Sequence, residues 1–265
     1  RFRNVTGVQT CALPICLSCR IALLAGTGFY DLPALSGKSP EKVETKYGTA
    51  EITVGQWQGA ELVFLTRHGG GHSIPPHKIN YRANIRALKD QGVCAVIAIN
   101  VVGGIDTTLA PGDLTLIEDF VDFTSGRLHT FFDGEAGVRH IDMTNVYSKT
   151  IRTALANGAK KIGVPLREGG VYAGYNGPRF ETPAEIRFAA LSGATVVGMT
   201  GCPEAALARE LDLPYATIAL IVNPAAGLFD GEISEDDIKE VLVKGKAKTL
   251  SVIEAALPEL VSKYA

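Results

Sequence analysis

The stretch YATIALIVNPAAG, residues 215–227, decides what kind of sheet this chain builds. Ala219, Leu220, Ile221 and Val222 form an apolar run without the alternation of a half-exposed strand, as a strand buried on both faces of a parallel sheet requires. The run ends in Asn223, Pro224, two alanines and Gly227. An amide at the carboxyl end of a buried strand must find a hydrogen-bond partner or cost free energy. In open α/β sheets that edge is also where ligands sit. Asn223 is therefore either a loop residue satisfied by its neighbours or the group that reads a ligand.

Working outward, the same grammar recurs. IALLAGTGFYD (21–31) is an apolar strand broken by Gly26-Thr27-Gly28, and an apolar alternation near 50–54 precedes a strand at 62–65 that runs into TRHGGGH. INYRANIRALKDQG (79–92) has helical spacing, with Gly92 as its stop. CAVIAINVVGG (94–104) and GDLTLIEDFVDF (112–123) read as strands. In ETPAEIRFAALSG (181–193), Thr182 is a cap, Pro183 suits the first helical position and Glu185 completes a capping box. ATVVGM (194–199) is a strand, GCPEAALARELDLP (201–214) a helix, and residues 234–257 a closing amphipathic helix with Ser234 as cap. Strands alternating with helices predict an α/β protein with a largely parallel or mixed sheet, built as one domain.

Of the 265 residues, 46% are hydrophobic and 20% charged, with a net charge of −2. That balance supports a sizeable core and gives no reason to expect nucleic acid or a membrane surface as partner. The default compartment is the cytosol, so the expectation is a cytoplasmic protein. The five cysteines match no zinc spacing, and Cys94 reads as a small buried apolar residue. The opening RFRNVTGVQTCALPICLSCR lacks the architecture of a signal peptide. It resembles translated adaptor read-through, so residues 1–18 are expected to be a non-native leader and the fold to occupy residues 19–265. Cys11, Cys16 and Cys19 are then expected to play no part.

The unusual residues stand at strand ends. Gly26-Thr27-Gly28 can aim backbone N–H groups and a hydroxyl at an anion, although a plain tight turn explains it as well. It is not a dinucleotide fingerprint, because Asp31 stands where the third glycine belongs. Arg67 and His68 leave an apolar strand straight into glycines: a guanidinium fork suits phosphate oxygens, and glycines let backbone approach a ligand. His68, His72 and His77 lack a nearby carboxylate or cysteine, so no metal is expected; His72 and His77 read as loop histidines bonded to backbone. Phe180 beside Glu181 can cradle a flat heterocycle bearing an N–H, or serve as core and helix-dipole partner. Met199 and Thr200 stand at a further strand end, where Met199 is either ligand-facing or core filler.

GTG after the first strand, RHGGGH followed by PP and NYRANI, GPRFET, GMT with PE and ARE, and NPAAG together resemble the trimeric purine nucleoside phosphorylase and methylthioadenosine phosphorylase family. The match runs from about residue 21 to the closing helix. It implies a single-domain, three-layer α/β/α sandwich with a mixed central sheet, and an enzyme in which inorganic phosphate attacks C1' of a nucleoside as the purine leaves. By the same resemblance Thr27, Arg67, His68 and Thr200 bind phosphate with backbone near Val101, Met199 packs under the ribose, and Phe180 stacks on the base. His140 matches a residue lent to a neighbouring subunit, so a homotrimer is expected. No cofactor beyond phosphate as co-substrate is implied.

The base and the 5' group are separate questions. The adenine-cleaving members resemble one another in an aspartate where this chain has Asn223, and in a small residue where it has Glu181. An amide N–H can donate to O6 or N7, and a carboxylate can accept from N1–H, so the pair predicts a 6-oxopurine. The inosine-cleaving members share a late histidine that reaches the 5'-hydroxyl. Here the last histidine is His140, and Leu228 and Phe229 are expected to line an apolar 5' end instead. The expected reaction is phosphorolysis of S-methyl-5'-thioinosine to hypoxanthine and 5-methylthioribose 1-phosphate. Inosine or guanosine phosphorylase and methylthioadenosine phosphorylase are the alternatives, and a non-catalytic purine-binding protein the remote one. The adenine enzymes have an Asn-Met-Thr run where this chain has Gly198-Met199-Thr200, which leaves one base contact unassigned.

Overall fold

In the computed structural model, the described residues are 19–69, 71, 73–134 and 137–264. The expected leader, 1–18, and His72 lie outside them. Nine strands and five α-helices follow the chain among the described residues: β1 (Arg20–Ala25), β2 (Glu41–Thr45), β3 (Gly48–Trp57), β4 (Ala60–Thr66), α1 (Tyr81–Asp90), β5 (Val93–Gly104), β6 (Leu114–Asp122), α2 (Lys149–Lys161), β7 (Arg167–Gly174), α3 (Pro183–Leu191), β8 (Val196–Gly198), α4 (Gly201–Glu210), β9 (Tyr215–Pro224) and α5 (Glu235–Tyr264). The strands form one mixed sheet in the order β2-β3-β4-β1-β5-β8-β7-β6-β9. Because β9 also pairs with β5, half of that sheet closes on itself.

The closure explains the apolar run at residues 219–222. β9 is parallel to β5 and antiparallel to β6, and residues 215–222 are buried. Both faces of the sheet are covered. Ile85 and Leu88 of α1 and Leu207 of α4 pack on one face. Leu155 of α2 and Ile253 and Leu257 of α5 pack on the other. Burying each such side chain contributes about 1.5–3 kcal/mol. The expected α/β sandwich with a mixed sheet is what forms.

Local signals fell where expected. Thr182 accepts from the Glu185 N–H while Glu185 accepts from the Thr182 N–H at 2.7 Å, a complete capping box on α3. Asn80 caps α1, and Gly92 ends it at a φ of 71°. Two expectations need correction. α5 does not stop near residue 257 but runs through Pro258 to Tyr264. Cys94 is half-buried rather than buried. It pairs with Cys19, their Cα atoms 5.7 Å apart, so Cys19 belongs to the fold. Among the described residues no helix is long and apolar enough to cross a membrane.

Candidate active site

A cavity of about 410 Å³ opens at the carboxyl ends of β1, β4, β5 and β9. Thr27, Arg67, His68, Val101, Phe180, Glu181, Met199, Thr200 and Asn223 all line it. Segments separated by up to about two hundred residues in the chain are thus gathered by the sheet, as expected for residues at its strand ends. His140 is exposed and outside the cavity within one chain. His77 is exposed on a 3-10 turn and also outside it. Among the described residues no group of three His, Cys, Asp or Glu is arranged to hold a metal ion.

One corner of the cavity brings Thr27, Arg67, His68 and Thr200 together. A side chain at Gly26 would come within 3.0 Å of Arg67 Nη1 and 3.7 Å of His68 Nε2, so the Gly26-Thr27-Gly28 turn lies directly on both. Gly28 holds a φ of 80° and packs against Leu242 of α5. The Tyr30 phenol hydrogen-bonds the Thr27 side chain. His68 Nδ1 is 2.8 Å from the Ile74 carbonyl oxygen, which only accepts, so Nδ1 carries the proton there.

Arg67 is held mainly by protein partners. It is fully buried, and its guanidinium is held bidentately by Glu204, Nε to Oε1 at 2.5 Å and Nη2 to Oε2 at 2.9 Å. Nη2 also donates to Asn100 Oδ1 at 3.3 Å, and Nη1 to the Ile99 carbonyl at 2.7 Å. Those bonds use four of the five N–H donors a guanidinium carries, leaving an Nη1 hydrogen on the side of Gly26. Burial opposes the charge, yet Glu204 beside it holds the Arg67 pKa above its ordinary value.

The same contacts set Thr200. With Oδ1 of Asn100 taken by Arg67, Nδ2 donates to Thr200 Oγ1 at 3.0 Å. The threonine oxygen therefore accepts, and its own hydrogen is not used in that bond. Thr200 occupies the N-cap position of α4 without capping it. The Tyr172 phenol oxygen instead accepts from the backbone N–H groups of Thr200 and Gly201, at 3.1 and 3.2 Å. That phenol also accounts for Gly198, where any Cβ would collide with it.

Glu181 and Asn223 line the same cavity. Glu181 is 8% exposed, and its Oε1 is buried with no hydrogen-bond partner among the described residues. Burial pushes its carboxyl pKa up. Asn223 Nδ2 donates to the Pro224 carbonyl at 2.7 Å, which leaves an N–H and Oδ1 for a ligand. Between β5 and β9 the register slips: Val102 faces Ile221 but Gly103 faces Asn223. Val222 is thereby an extra residue, and at this bulge two successive residues, Val222 and Asn223, line the cavity. Phe180 is 42% exposed at the cavity edge, a ring open to a planar partner.

The expected apolar lining from Leu228 and Phe229 is not what forms; neither lines the cavity. The first turns of α5 take that place, through Ile233 just before them, Ile238 and Leu242, with Glu235 and Lys239 on the same wall. Ile238 and Leu242 are four apart on a helix, a spacing visible in the sequence. Glu204 carried no such signal. Asn100 did, as an amide inside the apolar run of β5.

Residues 20–258 match the family model described as "Phosphorylase superfamily". The chain belongs to the phosphorylase superfamily. Its similarity to individual members is high. It is 46% identical to the 6-oxopurine nucleoside phosphorylase of Pyrococcus furiosus over 90% of this chain and 92% of that one. It is 44% identical to a probable S-methyl-5'-thioinosine phosphorylase of Pseudomonas syringae pv. tomato, over 89% of this chain and 97% of that one. Methylthioadenosine phosphorylase from Schistosoma mansoni, solved with adenine, superposes with a TM-score of 0.86 at 29% identity, covering 92% of both chains. The family expected from the strand-end motifs is thus the family found, and this member is a nucleoside phosphorylase.

Proposed function

We propose that this phosphorylase cleaves the N-glycosidic bond of a 6-oxopurine nucleoside, with S-methyl-5'-thioinosine as its substrate and hypoxanthine and 5-methylthioribose 1-phosphate as products. The observation that carries the base assignment is the buried, unpartnered Oε1 of Glu181 in the same cavity as Asn223. The carboxylate accepts from N1–H, which hypoxanthine has and adenine lacks. The Asn223 amide donates to O6 or N7 as negative charge gathers on the leaving purine. Phosphate sits among Thr27, His68, Thr200 and the remaining Arg67 N–H, with backbone at Val101, and attacks C1' from the face opposite the base. Met199 lies under the ribose and Phe180 on the base. Phosphate is the co-substrate; positioning and electrostatics supply the catalysis without metal or organic cofactor.

The methylthio group is assigned to the wall of Ile233, Ile238 and Leu242, which replaces the Leu228 and Phe229 expected from sequence. A second reading has a specific support: Glu235 and Lys239 stand on that wall as well and could meet a 5'-hydroxyl, which favours inosine. We place the enzyme in the cytoplasm as a homotrimer, with His140 reaching a neighbouring subunit, and take the catalytic domain as residues 19–265.

The test is base release from methylthioinosine, inosine and methylthioadenosine, with and without phosphate. Phosphate-dependent release of hypoxanthine, fastest from methylthioinosine, is expected. Faster release from inosine would replace the 5' assignment, and faster adenine release would overturn the base assignment.

A further inference from the structure

Arg127 is 9% exposed, lies outside the cavity, and forms no ion pair among the described residues. Neutral acceptors surround it instead. Nε donates to Asn176 Oδ1 at 3.0 Å; Nη1 donates to the Met199 carbonyl at 2.7 Å and the Tyr81 phenol at 3.1 Å; Nη2 donates to the carbonyls of Tyr175 and Asn176 at 3.2 and 2.9 Å. All five guanidinium hydrogens are used.

These acceptors stand on three segments that each lead to a wall of the cavity. Met199 and Thr200 are one. Tyr175 and Asn176 follow β7 and lead to Pro178, Phe180 and Glu181, the base wall. Tyr81 begins α1 and donates to the carbonyl of Pro76, which lines the cavity just after the His68 loop. A planar fork with five donors on three nitrogens can meet all five acceptors at once; an ammonium, with three donors on one nitrogen, cannot.

We propose that Arg127 is a positioning residue for phosphorolysis: it fixes the spacing between the Met199–Thr200 floor and the Asn176–Glu181 wall, so that C1', phosphate and purine are held in line. The inference rests on the proposed reaction. Each wall binds its own part of the substrate without Arg127, whereas turnover needs both parts at one separation. A misplacement of about 1 Å costs on the order of 100-fold in rate.

The experiment uses Arg127→Lys in the full chain. It measures kcat/KM for methylthioinosine at saturating phosphate, the Kd of hypoxanthine alone, the Kd of phosphate alone, and Tm. The expected result is a loss of roughly 100-fold in kcat/KM, with both single-ligand affinities within about threefold of the parent and the variant folded at the assay temperature. Unchanged turnover in folded protein would overturn the proposal, as would parallel losses of base and phosphate affinity, which mark a residue that only holds the fold. Asn176→Ala, which removes one of the five contacts and spares the backbone carbonyls, keeps the proposal exposed if the lysine variant fails to fold: it should show the same split at about fivefold, and no split would overturn it. A parent protein that cleaves no nucleoside would remove the functional reading and this inference with it; a parent that turns over, beside variants that match it, would remove this inference alone.

Discussion

Replacing Glu181 by alanine should damage catalysis and stabilise the free protein at once. The carboxyl is buried, its Oε1 has no partner among the described residues, and burial raises its pKa. An unsatisfied buried polar group costs about 1–3 kcal/mol, so removing it should return that amount to the free enzyme. At roughly 2–4 °C per kcal/mol for chains of comparable size, Tm should rise by several degrees. With nucleoside bound, the same carboxylate accepts N1–H in a charge-assisted bond contributing about 1.5–3 kcal/mol. Its loss should lower kcat/KM for the hypoxanthine nucleoside by roughly 10- to 150-fold, while an N1-methylated analogue, which has no N1–H, should lose little. The pH dependence has a definite sign. A carboxyl whose pKa is raised on folding binds its proton more tightly in the folded state. The stability it adds is therefore present below the ordinary carboxylate range and lost as pH rises through the raised value. Activity runs the other way: kcat/KM falls as acid protonates Glu181, and the alanine variant should lack that acid limb. Differential scanning fluorimetry and initial rates across pH check both halves. An unchanged Tm together with kcat/KM within threefold of the parent would refute the assignment of Glu181 as an acceptor held unpaired for the base.

Other outcomes follow from neighbouring contacts. Thr200→Val removes the hydroxyl hydrogen that the Asn100 contact leaves free; the KM for phosphate should rise about 10-fold or more while hypoxanthine affinity holds, read by phosphate titration and equilibrium binding. Glu204→Ala leaves the Arg67 cation buried without its anion, which should cost about 3–5 kcal/mol, seen as a large fall in Tm. Asn223→Asp should shift the ratio of kcat/KM toward 6-aminopurine nucleosides by roughly 10- to 100-fold, one exchanged contact's worth. Adding Gly198→Asn to restore the adenine-type run should lower Tm unless Tyr172 is also changed, because a Cβ at 198 meets the Tyr172 phenol.

Much of this protein follows from short-range rules. The buried strand at residues 215–222, the capping box of Thr182 and Glu185, and the Gly92 stop depend on neighbours a few residues away, so they can be read before any fold is known. The polar residues at strand ends could be picked out for the same reason: an amide or guanidinium ending an apolar run needs a partner or a ligand. What such rules could not supply were contacts between segments far apart in the chain. The bond from Arg67 to Glu204 spans 137 residues, and nothing near either residue names the other. Arg127 draws its role from Tyr81, Tyr175, Asn176 and Met199, four points that meet only once β7, β8 and α1 are packed. The apolar wall moved from Leu228 and Phe229 to Ile238 and Leu242 because α5 folds back over the Gly28 turn. The sequence by itself determined most of the strands, though not β2, β7 or the helix α2, together with the caps and the polar residues at strand ends, since each is a property of local chain chemistry. Tertiary structure alone decided which of those residues keep a free donor, because that depends on which distant partners the fold places within hydrogen-bond reach.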